Sequence, residues 1–172
     1  MTSSLEHIKS VSSTSSVTSV NITNCFSSDY EVYMLTVADI DLAGAGDENV
    51  DIRLLDSGGS VISASEYDWS QLILRTTAAF TQNRSTSDTK FTYGVGYGPA
   101  SDVGMLGTTN YIFSPDDSGS YTWMLGQTVT SSTHNGHKYL GVHKSSEQIT
   151  GIQILVDSGT IERLTANVYG LK

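Results

Sequence analysis

Tyr30-Glu-Val-Tyr-Met-Leu-Thr-Val-Ala38 is the stretch on which the fold turns. In an extended chain Val32, Met34 and Thr36 fall on one side and Tyr33, Leu35 and Val37 on the other, because strand side chains alternate. Both sides are largely apolar, so the segment is expected to be a central strand.

Working outward, the same signal recurs between turn signals. Val50 to Leu55 is a short strand, and Asp56-Ser-Gly-Gly-Ser60 is a tight turn leading to Val61 and Ile62. Gln71-Leu-Ile-Leu-Arg75, Lys90 to Gly98, Asn110-Tyr-Ile-Phe113, Ser120 to Gly126 and Lys138 to His143 are further strands. Gln148 to Val156 and Thr160 to Gly170 close the chain, read as a hairpin about Asp157-Ser-Gly159. Asp39 to Asn49 and Ala78 to Asp88 read as polar loops, and Ser65 to Ser70 as turn-like. Nine to eleven strands, no helix candidate and no fixed-period repeat predict one all-β sandwich or barrel. The Ser-rich link Ser12 to Ser16 divides an N-terminal segment or arm, 1–16, from a β-sandwich domain, 17–172. The segment could pack on its own sandwich or reach a neighbouring subunit.

Composition agrees. The chain carries 26 Ser, 20 Thr and 16 Gly but 2 Pro, a balance of strand and turn formers. Its net charge of −9 and scattered Lys and Arg argue against holding nucleic acid, which needs cations to replace phosphate counterions. The single cysteine, Cys25, permits no intrachain disulfide and is read as a small buried hydrophobe. No basic segment followed by an apolar one opens the chain, so no secretory leader is expected. No apolar run has the roughly 20 residues of a membrane span.

Candidate chemistry is sparse. His134-Asn-Gly-His137 with His143 has imidazoles, but only Glu147 stands near to complete a tetrahedral set; the histidines are read as loop and strand residues and no metal is expected. The acidic stretch Asp39 to Asp51 lacks EF-hand spacing, with Ala43 at the fifth position, and is read as a solvated loop. Tyr93-Gly-Val-Gly-Tyr-Gly98 is not a dinucleotide fingerprint. Tyr93, Tyr97 and Tyr111 are instead candidate interface or ligand contacts, since aromatics among polar neighbours serve sugar and protein surfaces. No nucleophile elbow is present, no catalytic residue or cofactor is indicated, and a non-enzymatic role is expected. Asn21-Ile-Thr23 and Asn83-Arg-Ser85 match the glycosylation pattern by chance.

Five stretches together have a familiar layout: Leu5-Glu-His-Ile to Ser13, Val20-Asn-Ile-Thr to Met34, Asp51-Ile-Arg-Leu-Leu to Asp68, Ile149-Thr-Gly-Ile-Gln-Ile154, and Ser158-Gly-Thr-Ile to Lys172. This resembles small structural proteins of marine tailed bacteriophages, including cyanophages. The resemblance implies a jelly-roll-like antiparallel sandwich with a short N-terminal extension, made in the host cytoplasm and carried on the virion. Its partners would be other capsid or tail proteins and further copies of itself, a trimer among the options, with neither nucleic acid nor membrane. Head decoration or cement is the leading expectation. A tail-fibre or tail-associated adhesin for host-surface glycan is the alternative, and a polysaccharide-degrading enzyme the third.

Overall fold

The structure is a computed structural model describing residues 4–44, 47–99, 107–130 and 135–172. Among these lie twelve strands and no helix: β1 (Leu5–Ser13), β2 (Ser19–Ile22), β3 (Val32–Ala43), β4 (Asp47–Leu55), β5 (Tyr67–Arg75), β6 (Thr81–Asp88), β7 (Phe91–Pro99), β8 (Gly107–Phe113), β9 (Thr122–Thr130), β10 (Asn135–His143), β11 (Gly151–Val156) and β12 (Thr160–Leu171). They form two antiparallel sheets facing each other, the expected jelly-roll-like sandwich. The larger sheet runs β1-β12-β3-β8-β9-β10-β5-β6 and the smaller β2-β11-β4-β7.

The core lies between the sheets. Tyr33, Leu35, Ile112, Met124 and Val168 come from the larger, and Ile22, Ile52, Leu54, Phe91 and Ile154 from the smaller. β3 is third in its sheet, flanked by β12 and β8, as its two apolar faces predict. Aromatic rings knit the β5, β7 and β10 region: Tyr67 meets Phe91 edge-on at 4.8 Å, and Trp69 stacks on Tyr139 at 6.3 Å. The Tyr67 hydroxyl donates to the Ile62 carbonyl (3.0 Å) and accepts from the Leu54 amide (3.2 Å), so this buried phenol is satisfied. Cys25 is buried, its thiol pushed up to about 12 by desolvation, as suits a small packing residue.

Several sequence expectations need correction. Asp39 to Ala43 is strand, not loop. Asp39 has φ 55°, and four residues of β3 (Ala38 to Asp41) oppose three of β12 (Thr165 to Arg163). This bulge resets the alternation, so that Ile40 and Leu42 are buried after Tyr33, Leu35 and Val37. Thr81–Asp88 is likewise a strand, β6. It pairs only with β5 and both its faces meet water, so it carries no apolar alternation to read. Tyr67 to Ser70, expected as turn, opens β5. The closing strands are not a hairpin, since β11 belongs to the smaller sheet and β12 to the larger. The turn at Asp56 does form, with the Gly59 amide donating to the Asp56 carbonyl at 2.9 Å.

The N-terminal segment lies on its own sandwich. β1 covers the β12 edge from Leu5↔Leu171 to Ser13↔Leu164. Beyond it Val17 exchanges backbone hydrogen bonds with Ile161 at 3.1 and 2.7 Å.

Candidate functional site

The most distinctive feature is β9, which is built inside out. Its apolar residues Trp123, Leu125 and Val129 point to solvent, 44%, 48% and 64% exposed. Thr122, Met124, Gly126, Thr128 and Thr130 point into the sandwich. The inward threonines have work there. The Thr128 hydroxyl donates to the Val95 carbonyl of β7 (2.7 Å) and also meets the Thr108 hydroxyl (2.9 Å). Asn110, beside it on β8, donates to the Gly94 carbonyl (2.9 Å). Small polar residues therefore let β7 approach and satisfy its carbonyls, and the hydrophobic side of β9 is turned outward.

Neighbouring strands extend the outward patch. Register places Tyr111 (β8), Leu125 (β9), Leu140 (β10), Ser70 (β5) and Arg84 (β6) in one row across the larger sheet. The rows on either side hold Phe113, Trp123 and Val142, and Thr109, Gln127, Lys138 and Leu72. Beyond Gln127, Val129 stands between Gly107 and Gly136, whose missing side chains leave a depression around it. The result is a groove of about 880 Å³ over β8, β9 and β10, continuing into one of about 560 Å³ over β10, β5 and β6. Leu125 and Lys138 border both parts. Its lining mixes apolar side chains (Tyr111, Leu125, Val129, Leu72, Leu140) with threonine, glycine and glutamine; Lys138 stands at the junction of the two parts, and Gln82, Asn83 and Arg84 supply hydrogen-bonding groups at the β6 end.

Of the three expected contact tyrosines, Tyr111 belongs to this face and is exposed. Tyr93 and Tyr97 lie on β7 of the smaller sheet, so their backbone is placed apart from Tyr111; their side chains lie outside the described residues. Sequence reading passed over Trp123, Leu125, Val129, Leu140 and Leu72, because apolar residues in a strand are expected to face the core.

The histidines do not assemble. His134 lies outside the described residues. His137 and His143 are six residues apart on β10, about 20 Å along an extended strand, too far to share an ion. His137 is buried with Nδ1 2.7 Å from Gln71 Oε1, and burial, with help from Arg75, lowers it to about 4. The acids of the Asp39–Asp51 stretch are likewise dispersed. Asp39 and Asp41 pair with Arg163 (2.9 and 3.8 Å), Glu48 accepts from Ser158, and buried Asp51 pairs with Lys90 (2.8 Å).

No family model and no curated protein matches the chain. Among solved structures, it is similar to an exo-inulinase from Aspergillus awamori at TM-score 0.43 and 12% identity, over 96% of this chain and 29% of that one. It is also similar to the CBM2 module of the evolved Dit of Lactobacillus casei BL23 phage J-1, at TM-score 0.26 and 9% identity, over 89% of this chain and 68% of that one. A third likeness is to infectious bursal disease virus, Gx strain, at TM-score 0.15 and 14% identity, over 99% and 39%. Likenesses this slight assign neither a family nor an activity.

Proposed function

We propose that the chain is a non-enzymatic structural protein of a phage particle, a head decoration or cement protein that docks through the outer face of its larger sheet. The inside-out strand β9 carries this reading. Turning Trp123, Leu125 and Val129 to water is unfavourable for an isolated domain, at about 25 cal/mol per Å² of apolar surface left wet. A contiguous patch of this kind marks an interaction surface. Trp123 and Tyr111 are the residue types enriched at interface centres, and Leu72, Leu125, Val129 and Leu140 add exposed or part-exposed apolar area around them. The all-β sandwich fits the virion setting that the layout of the sequence implies.

Mass spectrometry of purified particles from the phage carrying the gene tests this. Hundreds of copies per particle fit decoration; absence from the particle overturns the reading. A second reading, a tail-associated adhesin for host-surface glycan, is favoured by Gln82, Asn83 and Arg84 at the β6 end of the groove, with Lys138 at its middle. A dozen copies or fewer, with binding on a glycan array, would decide for it.

A further inference from the structure

Where β10 ends and β5 begins, Glu66, His143 and Glu147 each bring one possible ligand atom within 4.8 Å of the others. His143 Nε2 stands 3.3 Å from Glu66 Oε2 and 3.8 Å from Glu147 Oε1. The His143 side chain is fully buried, yet neither ring nitrogen makes a directed hydrogen bond. Nδ1 has no hydrogen-bond partner, and Nε2 has only the two carboxylates beside it, neither in hydrogen-bond geometry, an arrangement that a bridging cation would complete. Thr122, its cross-strand neighbour on the same inward face, has an unsatisfied buried hydroxyl as well.

We infer that Glu66, His143 and Glu147 form a binding site for a divalent cation, with zinc the best match. One imidazole and two carboxylates are a mixed nitrogen and oxygen set suited to zinc. Zinc bonds of about 2.0–2.2 Å put tetrahedral ligand atoms about 3.3–3.5 Å apart. The separation of His143 Nε2 and Glu66 Oε2 already has that length, and the half-exposed glutamates can close the remainder. His143 is held by ladder pairing on both sides, to Tyr67 of β5 and Thr122 of β9, so the nitrogen ligand is preorganised. The ion would clasp the segment after β10 to the start of β5 and neutralise two adjacent carboxylates. The water-facing side of the glutamates leaves room for a water as fourth ligand. This site differs from the histidine trio considered from sequence: it uses one of those histidines and two acids.

Calorimetric titration of zinc into the full chain, with calcium and magnesium as competitors, tests the inference, together with nitrogen NMR of the imidazoles. Wild type should bind one zinc in preference to calcium and magnesium, with the His143 ring signals shifting and the melting temperature rising. Glu66→Gln and Glu147→Gln, near-isosteric changes at part-exposed positions, should each weaken binding at least tenfold. No binding, an unmoved His143 signal, or equal affinity in Glu147→Gln would overturn the site, the last two by placing zinc elsewhere.

Discussion

Gly159 shows how one residue can fix a corner. It turns the chain from the smaller sheet to the larger with φ 67°, and a Cβ there would run into the Ala43 carbonyl oxygen. Gly159→Ala should cost at least ~2 kcal/mol in urea unfolding, from the left-handed backbone and the collision together. Lys90 is a second such residue. It lies between Asp51, which is fully buried, and Asp157. Lys90→Met removes the cation beside a buried carboxylate and should cost about 3 kcal/mol. His137 sets a pH dependence. Its pKa is near 4 in the fold against 6.5 unfolded, so the unfolded chain takes up the proton first as pH falls. The contribution is intact above pH 6.5 and is lost on the way down to about 4; His143, also lowered by burial, acts in the same direction. Unfolding at pH 4.5 should therefore show roughly 2–3 kcal/mol less stability than at pH 7 from His137, and His137→Gln should flatten that slope.

Elements were legible in the sequence where one rule governed them. β3 up to Val37 has uniform alternation, and the Asp56 turn has its glycines, so both were readable. The bulge at Asp39 shifts the phase by one residue, which made a continuing strand look like a loop. β6 has two wet faces and so no pattern. Sheet membership was hidden too, because the three-residue corner Asp157 to Gly159 between strands of different sheets resembles a hairpin turn in composition. β9 is the deepest case: hydropathy alone places its threonines outside, whereas the need to satisfy the Val95 carbonyl draws Thr128 inside. The face behind the proposed function was thus visible only through Tyr111. The strand makes a paired prediction. Met124→Ala, on the buried side, should cost about 2–5 kcal/mol. Leu125→Ser, the next residue along, should leave stability within ~0.5 kcal/mol while weakening attachment to the particle.

At the scale of the molecule, the two sheets divide the labour. The inner faces bury the aromatic and aliphatic core, and the outer face of the larger sheet offers a groove across β8, β9, β10, β5 and β6. β1 covers the β12 edge, while β6 leaves a polar, charged edge at the other side, which discourages strand-to-strand association there. The proposed docking therefore uses a sheet face and not this edge. Oxidative footprinting of Trp123 and Tyr111, in the free protein and in intact purified particles, tests this most directly. The account predicts that both side chains react freely in isolation and are protected in the particle, while exposed Phe80, outside the groove, stays reactive in both. Equal reactivity of Trp123 and Tyr111 in the two states would contradict it.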